Sequence, residues 1–203
     1  MPEFFIVADI IGIVAFAISG FLVAIRNNLD MLGILLAATL TALGGGVIRD
    51  AILSIPPFSF TSLYPALTLG VAIALMFVSK LYKKDAIEQR WIFVVSDTIG
   101  LVSFSITGAL AAINADFNFF GIVILSFITA VGGGVTRDVL INKVPAVLVS
   151  DFYGSIAIIV ALLMLIARYF GYLNELSITI IAIFSIALRL IAYNKKWHLP
   201  SLT

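Results

Sequence analysis

Two short stretches inside long apolar runs combine residue types that rarely occur together in such runs. The first, TALGGGVIRD, covers residues 41–50, and the second, TAVGGGVTRD, covers residues 129–138. Each joins a threonine and three glycines to an arginine and an aspartate. Glycine costs about 1 kcal/mol relative to alanine inside a helix, and free carbonyls at a broken helix coordinate cations. The threonine hydroxyls add further oxygen atoms to these carbonyls. The pattern therefore predicts a site of hard oxygen ligands, which suits alkali cations.

The glycines are expected to kink or break their helices. At about 1.5 Å per residue, they fall near or just past the bilayer centre. Irregular backbone survives there only when it is buried in protein or lines a watery cavity. A second interpretation stays open, in which the glycines only allow close helix packing. The residues predicted to form a pore or hinge are Thr41, Gly44, Gly45, Gly46, Thr129, Gly132, Gly133 and Gly134.

Charged residues inside the apolar runs form a second group of candidates. Such side chains are costly in lipid and normally face the interior of a helix bundle or water. Four carboxylates and two guanidiniums leave a net charge of −2 when all are ionised, which favours cations. Whether these residues line a pore or only form structural ion pairs stays open at this point. They are Asp9, Arg49, Asp50, Asp97, Arg137 and Asp138.

Helix geometry sets the expected partners of these charges. Sequence neighbours point about 100° apart on a helix, so Arg49 is not expected to face Asp50. We expect each arginine to pair instead with another span, and a carboxylate in the opposite copy of the repeat described below is one candidate. Asp9 and Asp97 lie a turn or two from the ends of their apolar runs, where interfacial water is an alternative partner.

Composition places the chain among integral membrane proteins. Its 203 residues are 62% hydrophobic and 11% charged, with a mean hydropathy of +1.19, whereas soluble domains carry about 25% charged residues. It has no cysteine and a single histidine, His198, which excludes a thiolate or histidine metal cluster. With a net charge of +1 and no nucleophile–base pair, the sequence predicts no nucleic-acid partner, no enzymatic activity and no cofactor. No metal is expected beyond transient K⁺ or Na⁺.

Seven apolar runs have the length of about 20 residues that a transmembrane helix needs. They cover roughly residues 4–25, 32–53, 62–82, 91–113, 119–141, 148–169 and 175–193.

Lysine and arginine concentrate on one side of these spans, so the positive-inside rule places the N-terminus outside and the C-terminus in the cytoplasm. Only Arg168 lies on the other side. The charges on the rich side are Arg26, Lys80, Lys83, Lys84, Arg90, Lys143, Arg189, Lys195 and Lys196. Lys80, Lys83 and Lys84 are predicted to set this orientation, with a contact to anionic lipid as the alternative.

The chain contains an internal duplication with an offset of 88 residues. The segment DIIGIVAFAISGFLVAI from Asp9 aligns without a gap with DTIGLVSFSITGALAAI from Asp97, and the same offset aligns the glycine motifs. Each copy holds three spans, an odd number, so the second copy enters the membrane from the opposite face. The predicted fold is all-α, an inverted repeat of two three-helix units with kinked helices 2 and 5, plus a seventh helix. In this single transmembrane domain, the repeats cover about residues 1–88 and 89–171, and the extra helix about 172–203.

The chain resembles the prokaryotic branch of the trimeric intracellular cation (TRIC) channel family. The resemblance lies in the seven spans, the inverted three-span repeat and the paired GGGVIRD and GGGVTRD motifs. The resemblance covers nearly the whole chain. It implies a homotrimer in a prokaryotic plasma membrane, with a separate pore through each protomer for monovalent cations, chiefly K⁺. It also implies kinked second and fifth spans along the pore, with Gly44–Gly46 and Gly132–Gly134 at the bends. The chain itself and membrane lipids are the expected partners.

Two functions follow from these observations. A passive cation channel is favoured by the carboxylate surplus, the hard-oxygen site and the family resemblance. The alternative is a secondary transporter of a small zwitterion such as glycine. Inverted repeats suit alternating access, and bacterial members of this family have been labelled glycine transporters. A purely structural membrane protein is disfavoured by six ionisable positions within the spans.

Overall fold

The computed structural model describes residues 3–83, 85–149 and 152–197, and within these ranges the chain is helical, without β-strands. A 3₁₀ turn, Leu81–Lys83, follows the fourth helix. Lys84 and His198 lie outside the described residues. In chain order the helices are α1 (Glu3–Arg26), α2 (Met31–Ile52), α3 (Phe58–Thr61), α4 (Leu63–Val78), α5 (Ala86–Asn114), α6 (Phe119–Leu140), α7 (Ala146–Val149), α8 (Tyr153–Tyr169) and α9 (Glu175–Asn194).

Five of these helices are long and apolar enough to cross a membrane, namely α1, α2, α5, α6 and α9. The helices α4 and α8 are apolar but shorter, with 16 and 17 residues. At about 1.5 Å per residue they fall short of a hydrocarbon core about 30 Å thick. Each of the seven predicted apolar runs therefore contains a helix, and five of the seven have the expected length.

The same type of cap starts α2 and α6. Asp30 accepts a hydrogen bond from the Gly33 amide at 2.8 Å, and Asn118 accepts one from the Gly121 amide at 2.9 Å. A side-chain oxygen at this position satisfies an amide that has no partner within the helix. The two caps are 88 residues apart, so both helices begin in the same register relative to their glycine motifs.

The helices α1 and α5 pack together through equivalent residues of the two copies. The rings of Phe16 and Phe104 stack with their centroids 5.3 Å apart. The backbone at Gly12 lies against the Phe104 ring, and the backbone at Gly100 lies against the Phe16 ring. Reciprocal contacts of this kind are what a two-fold relation between equivalent surfaces produces.

The glycine motifs do not interrupt their helices. The helix α2 is continuous from Met31 to Ile52, and α6 is continuous from Phe119 to Leu140. The predicted break is therefore wrong for this conformation, because tertiary packing overrides the low helix propensity of glycine. A bend within a continuous helix stays a prediction.

Candidate functional site

The two glycine motifs meet where α2 crosses α6. The backbone of Gly45 faces the carbonyl oxygen of Thr129, and the backbone of Gly133 faces the carbonyl oxygen of Thr41. A Cβ atom at either glycine would overlap that oxygen, so a larger residue fits only if a helix moves. A Cβ atom at Gly44 would lie 3.2 Å from the Gly133 Cα. The motifs therefore form one close helix crossing, which is the packing role that the sequence left open.

The threonines of the motifs do not present free ligands. Thr41 donates a hydrogen bond to the Ala37 carbonyl, and Thr129 donates one to the Leu125 carbonyl, each at 2.6 Å. Both threonines are fully buried, and the opposing glycines cover their carbonyl oxygens. A helical threonine bonds readily to the carbonyl one turn earlier, so these oxygens are enclosed in this conformation. Coordination of a cation by Thr41 and Thr129 stays a prediction.

Arg49 forms the centre of the first charge cluster. Its Nε donates to Asp50 Oδ1 at 2.8 Å, and its Nη1 donates to Asp9 Oδ1 at 3.0 Å and to Thr107 Oγ1 at 3.3 Å. The guanidinium also lies 4.9 Å from the centroid of the Phe5 ring. Arg49 is only 1% exposed, so the cluster lies inside the protein and not against lipid. It connects α2 to α1 and to α5 of the other copy.

Arg137 forms the centre of a second cluster with a matching pattern. Its Nε donates to Asp138 Oδ1 at 2.8 Å, and its Nη1 donates to the Ser19 hydroxyl at 3.2 Å. The Ser19 hydroxyl in turn donates to Asp97 Oδ1 at 2.8 Å. Ser19 and Thr107 occupy equivalent positions in the duplication, so each arginine donates to a hydroxyl of the opposite copy.

The second carboxylate oxygens of Asp50 and Asp138 hold the segments that follow α2 and α6. Asp50 Oδ2 accepts a hydrogen bond from the Phe58 amide at 2.8 Å, and Asp138 Oδ2 accepts one from the Ala146 amide at 3.0 Å. These amides begin the short helices α3 and α7. A carboxylate shared between an arginine and a helix N-terminus is well stabilised. Both aspartates therefore have a structural role in their clusters.

Several predictions about the charges are corrected here. Arg49 pairs with Asp50, its sequence neighbour, because the two side chains meet beyond their Cβ atoms, with Nε 2.8 Å from Oδ1. Arg137 pairs with Asp138 in the same way. Arg49 also pairs with another span, as expected, but Asp9 belongs to the same copy and not the opposite one. Asp9 and Asp97 are 4% and 7% exposed, so both side chains are buried in the protein. A contact of either carboxylate with interfacial water stays a prediction.

A cavity of about 810 Å³ reaches Asp97. It lies between the first half of α5, the start of α8 and the end of α9, and Tyr153 and Arg189 line it together with Asp97. Ile87, which is 72% exposed, also lines the cavity, so the space is continuous with the surface. The space beside Asp9 is only about 10 Å³. The two equivalent carboxylates therefore differ in access.

Sequence reasoning did not identify four residues of this site, namely Ser19, Thr107, Tyr153 and Arg189. The first two carried a usable signal, since both are hydroxyl residues separated by the repeat offset. Tyr153 carried none, because Pro65 stands at the equivalent position. The positive-inside count includes Arg189 among the cytoplasmic charges, yet it is only 7% exposed and lies within α9.

Lys80 and Lys83 are exposed beyond the end of α4. The Lys83 ammonium lies 5.8 Å from the centroid of the Tyr82 ring. Exposure suits both roles proposed for these lysines, setting orientation and contacting anionic lipid, and both stay predictions. Lys84, the third residue of this group, is outside the described part of the chain.

Comparison with known proteins identifies relatives over almost the whole chain. A family model described as "Glycine transporter" matches residues 6–80 and 94–169, two segments that begin 88 residues apart. The UPF0126 membrane protein YvgT of Bacillus subtilis is 30% identical over 197 residues, which cover 95% of this chain and 94% of that protein.

Two solved structures are similar over the same length. One, described as the structural basis for conductance through TRIC cation channels, is 35% identical with a TM-score of 0.84, and the match covers 97% of this chain and 96% of that one. The other, a prokaryotic TRIC channel in 0.5 M KCl, is 30% identical with a TM-score of 0.86, and the match covers 98% of this chain and all of that one.

Proposed function

We propose that this chain, which belongs to the prokaryotic TRIC family, is a passive channel for monovalent cations that is permeable to K⁺. Its solved relatives are described as TRIC channels, one of them explicitly as a cation channel. No enzymatic activity is part of the proposal, and Na⁺ is the second ion expected to permeate.

The buried surplus of carboxylates is the observation that carries the cation assignment. The two clusters together contain four buried carboxylates and two buried arginines. Charges interact more strongly in a protein interior than in water, and a cleft lined by one sign of charge raises the local concentration of the opposite ion. A pathway beside these clusters therefore attracts cations and repels anions. The carboxylates are Asp9, Asp50, Asp97 and Asp138.

The described conformation suits a closed pathway with a watery entrance on one side. The cavity leads to Asp97, whereas the crossing of Gly45 and Gly133 is tightly packed. We infer that α2 and α6 bend at their glycines when the pathway conducts, since glycine adopts new backbone conformations at low cost. This bending uncovers the carbonyls of Thr41 and Thr129 as cation ligands.

The proposal includes an architecture. The helices α1, α2 and α4 form one repeat, α5, α6 and α8 form the inverted second repeat, and α9 is the seventh span. Together they make a single transmembrane domain. The reciprocal contacts of Phe16 and Phe104 with the opposite glycines support this relation. The family resemblance supports a homotrimer in a prokaryotic plasma membrane with one pore in each protomer. With the N-terminus outside, the cavity at Asp97 opens to the cytoplasm.

The alternative function is secondary transport of glycine. The description of the matching family favours it. The unequal access to Asp97 and Asp9 favours it too, since alternating access opens a central site to one side at a time. A transporter carries its substrate through a saturable site, whereas an open channel passes many ions at each opening.

Flux into liposomes separates the two functions. Purified wild-type protein is reconstituted, and K⁺ efflux and uptake of radiolabelled glycine are measured on the same preparation, with protein-free liposomes as the control. A channel releases K⁺ without glycine, and added glycine leaves the rate unchanged. Saturable glycine uptake without K⁺ flux contradicts the channel and supports the transporter.

A further inference from the structure

We propose that the Tyr153 hydroxyl caps the Asp97 carboxylate, and that a cation entering from the cavity binds Asp97 by displacing this hydroxyl. The inference rests on the proposed function and deepens it, because it names the group that sets how tightly one entrance of the pathway holds K⁺. Tyr153 is the first residue of α8, is 5% exposed, and lines the cavity together with Asp97.

The two equivalent carboxylates are held by different groups. Asp9 contacts its arginine directly, with Oδ1 3.0 Å from Arg49 Nη1. Asp97 instead accepts a hydrogen bond from the Ser19 hydroxyl at 2.8 Å, and the Tyr153 hydroxyl is its second hydrogen-bond partner. Of these two hydroxyls, that of Tyr153 belongs to a residue that lines the cavity. A neutral hydroxyl holds a carboxylate less strongly than an arginine does, so a cation displaces it more easily.

The position of the Tyr153 ring places its hydroxyl between Asp97 and the second glycine motif. The Arg189 guanidinium lies 5.3 Å from the ring centroid. At the other end of the ring, the hydroxyl lies 4.0 Å from the place that a Cβ atom at Gly134 would take. A buried tyrosine hydroxyl usually has a hydrogen-bond partner, and Asp97 supplies it here. Bending of α6 at its glycines would therefore change the surroundings of the cap as well.

The cap can be removed without changing any charge in the cavity. Tyr153→Phe deletes one oxygen atom and keeps the ring, so the electrostatic attraction and repulsion of ions stay as in the wild type. Two of the basic side chains are exposed, where water and salt screen their charge, whereas Asp97 is buried, where charges interact more strongly. Among the described residues, the charged side chains that line the cavity are Arg90, Asp97, Arg189 and Lys196, of which Arg90 and Lys196 are the exposed pair.

The test is the K⁺ dependence of the single-channel conductance of Tyr153→Phe. Currents are recorded in planar bilayers over a range of symmetric KCl concentrations, and the half-saturating K⁺ concentration is separated from the maximal conductance. Without the hydroxyl, K⁺ no longer displaces a hydrogen bond, so the half-saturating concentration is expected to fall about three- to tenfold. A ring-fluorinated tyrosine at the same position has a hydroxyl that is a stronger donor, and it is expected to raise this concentration.

Tyr172→Phe is the matched control. It removes the same atom from a side chain that is 68% exposed, between α8 and α9 and outside the cavity. Both the half-saturating concentration and the maximal conductance are therefore expected to equal those of the wild type. Circular dichroism and size-exclusion chromatography establish that each variant keeps its fold.

An unchanged half-saturating concentration in Tyr153→Phe overturns the inference, because the hydroxyl then only anchors α8. A higher concentration overturns it as well, because the hydroxyl then positions Asp97 for K⁺ and does not compete with the ion. If Tyr153→Phe does not fold, the fluorinated variant decides, and a half-saturating concentration that is not raised there overturns the inference. Wild-type protein that passes no K⁺ current refutes the proposed function itself. That outcome is seen before any substitution is made, so the two failures are distinct.

Discussion

Replacing Gly45 with alanine places a methyl group onto the carbonyl oxygen of Thr129. The obstacle is backbone, so α2 or α6 must move, and overpacking of this kind costs about 1–3 kcal/mol. A methyl group at Gly46 meets its nearest atom, Arg49 Nη2, at 3.7 Å, which is an ordinary contact. Both alanines gain the same helix propensity of about 1 kcal/mol. The difference between the two variants therefore isolates the helix crossing, and we expect Gly45→Ala to be less stable than Gly46→Ala by about 1–3 kcal/mol.

The assay is reversible unfolding of the purified protein in mixed micelles, followed by the loss of helical circular dichroism. The pair Gly133→Ala and Gly134→Ala repeats the comparison in the second copy, where a methyl at Gly134 meets its nearest atom at 3.8 Å. Equal free energies of unfolding for Gly45→Ala and Gly46→Ala would mean that the two helices do not touch at the motifs, and would refute the crossing.

Three further substitutions test the charge clusters. Arg49→Met is expected to lower the free energy of unfolding by about 3–5 kcal/mol, because it leaves buried carboxylates uncompensated; a double-mutant cycle with Asp9→Asn measures the coupling. Ser19→Ala removes the hydroxyl that joins Asp97 to its arginine, and unfolding in denaturant should show a loss of about 1–3 kcal/mol. Asp97→Asn is expected to move the reversal potential in a KCl gradient toward that of Cl⁻, whereas Asp116→Asn, at an exposed carboxylate outside the cavity, leaves it unchanged.

The duplication could be predicted from the sequence, because its matching residues are separated by a constant offset along the chain. Asp9 and Asp97, the two motifs and the caps of α2 and α6 all follow the same offset. Burial of the charges could be predicted as well, since ionised groups avoid lipid. Their pairing could not, because a helical wheel gives the direction of a Cβ atom but not the path of a long side chain. The Nε atom of Arg49 lies 2.8 Å from Asp50 Oδ1, although the two residues are neighbours in sequence.

The glycine motifs show a second limit of sequence reasoning. Three glycines in a row can mark a break in a helix, because glycine has a low helix propensity, or a place where two helices pack closely. Only the position of the neighbouring helix distinguishes these two interpretations. The carbonyl of Thr129 against Gly45 favours packing in this conformation.

Arg189 shows a third limit, because a count of charges near span ends does not distinguish an exposed arginine from one that lines a cavity.

The reversal potential of wild-type protein in a planar bilayer under a tenfold KCl gradient tests cation conduction most directly. Unitary currents of many ions at each opening, which reverse close to the K⁺ equilibrium potential, are the predicted result. Currents that reverse close to the Cl⁻ potential, or silence in the bilayer together with saturable glycine uptake into liposomes, would contradict it.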